Sequence, residues 1–290
     1  MKQELDLREV IESIFRLIPG LTGFHSRENE LYILLNTIVK TYFKNYKQEI
    51  LDVAPLDGMV WPHISLGNLT SYDFFLLDEL ILHSFYWINR NRYRTAFDFG
   101  ANVGIDSIIL SRFGYEVYSF EPDPLFYKIL VKNVSINQCK NIHTYQNAVS
   151  GSSGVVNFVR VKDNTTASHI LGARDSYGEV DHLKVETITF QDIDVNPDLV
   201  KINVEGHEKN VVSSIDCNDW ENFDAFIEIH NQENSEGIFN YFLGSCINIF
   251  SQKLGWQQVA KIEEMPMDNK EGYIFVSKKQ EMPWQTSSPG

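Results

Sequence analysis

The chain has 290 residues, enough for one large α/β domain or for a domain with an N-terminal accessory region. Its hydrophobic share of 43% and aromatic share of 13% describe a folded globule, because a disordered chain lacks the large apolar side chains that offset ordering entropy. The formal net charge of −14 argues against a general nucleic-acid binder, which needs a basic surface, and the odd trio Cys139, Cys217 and Cys246 forms neither a disulfide framework nor a zinc knuckle, which suits a reducing cytoplasm.

Apolar residues recur at three- and four-residue intervals over 5–17, 28–46 and 71–89, which predicts three helices. Pro19-Gly20 parts the first two, and Pro55, Gly58, Pro62 and Gly67 mark an irregular stretch before the third. The first residues alternate charged and apolar side chains without the apolar core of a signal peptide, and no run of about 18 apolar residues would cross a membrane. Residues 1–92 therefore read as a helical accessory or substrate-lid region, whose amphipathic helices offer a surface for a homodimer.

From residue 95 the pattern changes. Short apolar runs at 96–99, 117–120, 142–149, 200–204 and 225–230 alternate with helical patterns at 105–113, 124–137, 207–215 and 235–254. That alternation predicts a Rossmann-like α/β domain over 93–279, with a mostly parallel sheet and helices on both faces. Runs at 155–161 and 185–190 suggest an inserted hairpin, the pair 256–262 and 273–277 an antiparallel edge strand, and 280–290 a loose tail.

The segment 96–104, AFDFGANVG, is an apolar strand ending in an acid, then a glycine-bounded turn opening a helix. Gly100 lets the backbone approach a ligand, and the helix beginning near Gly104 offers unpaired N–H groups to an anion such as a methionine carboxylate. Asp98 can accept from an ammonium group, and Glu121, about 20 residues beyond the glycine loop, can grip both ribose hydroxyls with Pro122 and Asp123 beside the base. The candidate cofactor set is Asp98, Gly100, Asn102, Val103, Gly104, Ser107, Glu121, Pro122, Asp123, Asn147 and Ala148. A helix-capping Asp98 and a surface Glu121 would be the bland alternative. A dinucleotide is disfavoured because its phosphate loop needs GxGxxG, and Asn102 stands where the second glycine would be.

With DFGANVGIDS, SFEPDP and KINVEGHE in this order, residues 71–278 resemble the FkbM-type methyltransferases. The resemblance implies a class I methyltransferase fold and S-adenosylmethionine-dependent transfer to hydroxyl groups, often of sugars in polysaccharide or natural-product pathways. One position departs: Asn203 stands where the family usually has aspartate, and Glu205 two residues on could supply the missing carboxylate.

Methylating an alcohol requires alignment and removal of a proton, by a base or with the help of a divalent metal. Polar groups for this work lie at the carboxyl ends of two predicted strands, 201–207 and 227–230. Glu205, His230 and Asn203 are the candidate catalytic residues and, if a metal is used, the candidate ligands. A helix-starting His207, a Glu228 paired with Lys201 and an ordinary strand-end His230 form the structural alternative. Acceptor contacts are expected from 61–72 and 164–169, giving Tyr72, Thr166, Ser168 and His169, together with Lys201. The expected acceptor is a sugar, nucleotide-linked or in a polysaccharide precursor. A non-sugar natural product is an alternative acceptor, and a non-catalytic binding protein on the same fold an alternative function.

Overall fold

The structure is a computed structural model describing residues 6–60, 65–66, 69–70, 75–162, 167–175 and 178–284. The chain begins with helices α1 (Leu7–Leu17) and α2 (Glu30–Asn45), the ribbon β1 (Ser65–Leu66) and β2 (Leu69–Thr70), and helix α3 (Leu77–Ile88). Then come β3 (Thr95–Phe99), α4 (Ile105–Arg112), β4 (Glu116–Phe120), α5 (Pro124–Ile136), β5 (Ile142–Tyr145), β6 (Ala148–Val149), β7 (Gly154–Val161), β8 (His169–Ile170) and β9 (Val180–Ile188). The last part holds β10 (Leu199–Ile202), α6 (Glu208–Ser214), β11 (Asp224–Glu228), α7 (Gln232–Phe242), β12 (Asn248–Ser251), β13 (Gln257–Gln258) and β14 (Tyr273–Ser277).

The main sheet runs β13-β12-β14-β11-β10-β3-β4-β5. Strands β11, β10, β3, β4 and β5 are parallel, while β14, β12 and β13 join by antiparallel pairs. Side chains alternate between two cores, as the two-residue period of a strand demands. Ala96 and Phe226 join Ile108, Phe85 and Phe126 on one face, and Phe97, Phe99, Ala225 and Ile227 join Val211, Val212 and Ile238 on the other. This is the mostly parallel sheet with antiparallel strands at one end that the sequence predicts. A second sheet, β6-β9-β7-β8, is the expected hairpin enlarged by two short strands.

Several boundaries differ from the sequence reading. The run 142–149 splits into β5 and β6, which belong to different sheets. The helix expected over 235–254 stops at Phe242, where Gly244 at φ +79 takes the left-handed turn that ends a helix, and β12 follows. Tyr273–Ser277 is an interior strand between β11 and β12, while the run 256–262 contributes the short edge strand β13. The chain past Lys279 stays packed at least to Trp284, which is buried against Phe85, His25 and Trp256.

The N-terminal helices share one core with the sheet. In α1, Ile11, Ile14 and Phe15 form the buried stripe, while α3 is buried nearly all round and lies against α1, α2 and α4. Among the described residues no helix is long and apolar enough to cross a membrane.

His25 pins this layer to the antiparallel end. The Trp256 Nε1–H donates to its Nδ1 at 2.8 Å and its Nε2 lies 3.0 Å from the Ile18 carbonyl, a pattern that assigns the neutral ring with its proton on Nε2. Burial pushes its pKa from 6.5 down to about 4. The unfolded chain takes up this proton near 6.5 and the fold refuses it until about 4, so stability falls as pH drops through that window. In urea unfolding against pH, His25→Gln is expected to remove about 3 kcal/mol of that fall.

Candidate functional site

A cavity opens at the carboxyl ends of the parallel strands, between the loops after β3, β4 and β10, the start of α3 and the second sheet. Gly100, Asn102, Val103, Glu121, Pro122, Asn147, Ala148, Ser168, Lys201, Asn203 and Glu205, all singled out from the sequence, line it. So do Glu79, Asp106 and Tyr273, and the apolar Phe120, Phe126, Phe158 and Ile170, none of which the sequence reading named. Asp106 was within reach, since it lies in the same motif, whereas Glu79 carries no local signal. Tyr72 and Thr166, with most of 61–72 and 163–166, lie outside the described residues.

The glycine loop is shaped by its neighbours. Gly100 N–H and Ala101 N–H both donate to the Phe120 carbonyl at 3.0 Å, and Asn203 N–H donates to the Phe99 carbonyl at 3.0 Å. The strand tips are thus tied together just below the cavity. Gly104 at φ +88 caps α4 and abuts Leu130.

Asp98 stands behind the cavity wall instead of lining it. Its carboxylate accepts from Ser107 Oγ at 2.6 Å and from Lys201 Nζ at 3.3 Å. Lys201, expected to touch the acceptor, is cross-strand from Asp98 and also lies 3.0 Å from Asp106, whose other oxygen meets His83 Nε2 at 3.1 Å. Burial opposes ionisation of Asp106, but Lys201 and His83 outweigh it and hold the carboxyl below its ordinary range. Burial likewise works against the Lys201 ammonium, and Asp106 and Asp98 raise its pKa in spite of it.

Glu121 is buried, so it is not the surface acid of the bland alternative. Its two oxygens accept N–H bonds from Asn102 at 2.9 Å and Asp123 at 2.8 Å, yet burial pushes its pKa up to about 8. Asp123 caps α5 and is paired with Arg160 of β7, which fastens the second sheet to the tip of β4. The Oδ1 atoms of Asn102 and Asn203 are buried without a hydrogen-bond partner among the described residues. Two such orphaned acceptors in one cavity wall fit a cationic ligand group, since leaving them unpaired costs roughly 1–3 kcal/mol each.

Glu205 and His230, expected to converge on one substrate hydroxyl or one cation, lie beside each other, with His230 Nε2 3.3 Å from Glu205. His230, however, is outside the cavity lining and its side chain is 3% exposed, with Nδ1 3.0 Å from Glu208, though off the hydrogen-bond axis, and Nε2 3.9 Å from Glu228. Burial disfavours its charge, but Glu208 and Glu205 outweigh burial and raise its pKa well above the ordinary value. These carboxylates favour the imidazolium, whereas taking an acceptor proton or ligating a metal calls for the neutral ring. Glu205, at φ +53, is also paired with Arg174 from the loop after β8. His207 precedes α6, and Glu228 accepts from Tyr273 at 3.3 Å instead of meeting Lys201. His169 is buried on β8 with Nδ1 2.8 Å from the Ala167 carbonyl, outside the lining.

The candidate metal donors already have partners: Glu205 is paired with Arg174 and lies 3.3 Å from His230 Nε2. Glu79, His83 and Asp106 bring candidate ligand atoms within 4.8 Å of one another, but the Lys201 ammonium answers Asp106 there.

The model of a family, Methyltransferase FkbM domain, matches residues 98–267. No curated protein matches the chain. Among solved structures, a precorrin-6y C5,15-methyltransferase from Geobacter metallireducens is 11% identical with a TM-score of 0.37, over 66% of this chain and 82% of that one. An rRNA methylase from Streptococcus thermophilus is 11% identical with a TM-score of 0.37, over 69% and 95%. An O-methyltransferase from Bacillus cereus in complex with SAH is 9% identical with a TM-score of 0.36, over 67% and 78%.

Proposed function

Since the chain belongs to the FkbM methyltransferase family, we propose that it transfers the methyl group of S-adenosylmethionine to a hydroxyl oxygen of a sugar, nucleotide-linked or in a polysaccharide precursor. The observation that carries this reading is a single cavity holding both kinds of group the reaction needs. On the cofactor side are Glu121 and the orphaned oxygens of Asn102 and Asn203, and beside them stand carboxylates able to receive a proton, with Ser168 adding a hydroxyl.

The residues present fit S-adenosylmethionine. Glu121 would accept the ribose hydroxyls, Asn102 and Asn203 the ammonium, and the N-terminus of α4 at Ile105 and Asp106 the carboxylate. When bound, this cofactor supplies an electrophilic methyl group on a sulfonium. The chain's part is to hold the acceptor oxygen in line, exclude water beneath the second sheet and receive the proton. A panel of nucleotide sugars and simple glycosides, assayed for methyl transfer, tests the proposal. An O-methylated sugar is the expected product, and turnover confined to nitrogen or carbon acceptors would overturn it.

The cofactor half has its own test. Protonated Glu121 has fewer lone pairs for ribose hydroxyls, and its pKa of about 8 places the change within reach. S-adenosylhomocysteine affinity should therefore rise roughly tenfold between about pH 7 and 9. Calorimetry should find weaker, nearly pH-independent binding in Glu121→Gln. An unchanged pH dependence in that variant would remove Glu121 from the role.

A further inference from the structure

Carboxylates of Glu79, Asp106, Glu121 and Glu205 line the cavity. Asp106 is held by His83 and Lys201, Glu121 by the N–H groups of Asn102 and Asp123, and Glu205 by Arg174 and His230. Glu79 has no hydrogen bond or ion pair among the described residues; its neighbours act on it through space. Its backbone is nonetheless fixed, because α3 is buried on nearly every side and His83, one turn on, is anchored to Asp106. A positioned carboxylate whose lone pairs no described residue occupies is what a proton acceptor requires.

Building on the hydroxyl-methylation reading above, we propose that Glu79 is the catalytic residue that takes the proton from the acceptor hydroxyl. The acceptor oxygen forms its bond to the methyl carbon as the carbon–sulfur bond breaks. That bond's electron pair stays on sulfur, turning the sulfonium into a thioether. The hydroxyl proton passes to a carboxylate oxygen of Glu79 and later leaves to water.

The surroundings suit the task. Glu79 is faced by Asp106 of α4, Lys201 of β10, Glu228 of β11 and Tyr273 of β14. On its own helix stand Asp78, His83 and Tyr86. Burial first and then Asp106 raise the pKa of Glu79 well above the ordinary carboxylate value, while Lys201 pulls it down. Such a carboxylate binds a proton firmly once ionised, and turnover rises with pH as it ionises.

The experiment uses the full chain, S-adenosylhomocysteine as the binding probe and an acceptor that the wild type methylates. Glu79→Gln is expected to bind the probe within threefold of wild type while kcat falls about 10²- to 10⁴-fold and the inflection on the acid side of the kcat profile disappears. Glu79→Asp should recover part of kcat. A Glu79→Gln enzyme with kcat within threefold of wild type, or with the same inflection, overturns the proposal. Loss of probe binding in both variants also overturns it, making Glu79 a group that holds the cofactor or the fold. A wild type that binds the probe yet methylates no hydroxyl instead sinks the reading on which the proposal rests.

Discussion

Lys201→Met should lower the unfolding free energy by about 3–5 kcal/mol, the loss expected when one partner leaves a buried ionic group. Lys201 is opposite Asp98 in the β10–β3 register, its side chain is 7% exposed, and its ammonium lies 3.3 Å from Asp98 and 3.0 Å from Asp106. Burial raises the pKa of Asp98 even with the ammonium present, so removing the ammonium strands a second carboxylate beside it. Methionine fills the same volume, which confines the change to charge and hydrogen bonding. Urea unfolding at neutral pH reads the loss, and adding Asp106→Asn should return part of it, because charges in one network do not contribute additively. A variant within 1 kcal/mol of wild type would show that the ammonium merely balances its own desolvation. The sequence cast Lys201 as an acceptor contact. The register makes it the counter-ion that lets two acids sit under the glycine loop.

Local signals carried the sequence reading as far as they reach. The apolar runs of β3 and β4 have strand length and end in Gly100 and Glu121, so the parallel core and the Glu121 wall of the cavity were readable from spacing. Glu79 was not, because LDELILHSFYWI forms a helix buried almost all round, polar Asp78, His83 and Ser84 included, and such a helix has no clear stripe to say which way its acid turns. Nothing local to His230 reveals that Glu205 after β10, Glu208 of α6 and Glu228 of β11 surround it. Arg174 comes to Glu205 across 31 residues of sequence, from a loop of the second sheet. At 235–254 the apolar spacing imitated one long helix, and Gly244 was the stop signal passed over. Periodicity thus located the elements, while charge pairing between elements decided what each acid and base can do.

Gly100→Ala is expected to abolish S-adenosylhomocysteine binding and to destabilise the fold by more than its backbone angle explains. At φ +80 any L side chain meets a left-handed penalty of roughly 1–2 kcal/mol. A Cβ there would also stand 1.8 Å from the Asn203 carbonyl oxygen, a backbone atom that has no rotamer to retreat into. Moving it would pull against the Asn203 N–H bond to the Phe99 carbonyl and against the β3–β10 ladder, displacing Asn102 and Asn203 together. Gly114→Ala supplies the control, since Gly114 has φ +96 and nothing within 4 Å of its added Cβ. The two variants share the angular strain, so their difference in urea unfolding isolates the collision between the tips of β3 and β10. Gly114→Ala should lose about 1–2 kcal/mol and keep full S-adenosylhomocysteine affinity by calorimetry. Equal losses in the two variants, with binding intact in both, would mean that the tips can part and that the close approach of Gly100 to Asn203 does not shape the cavity.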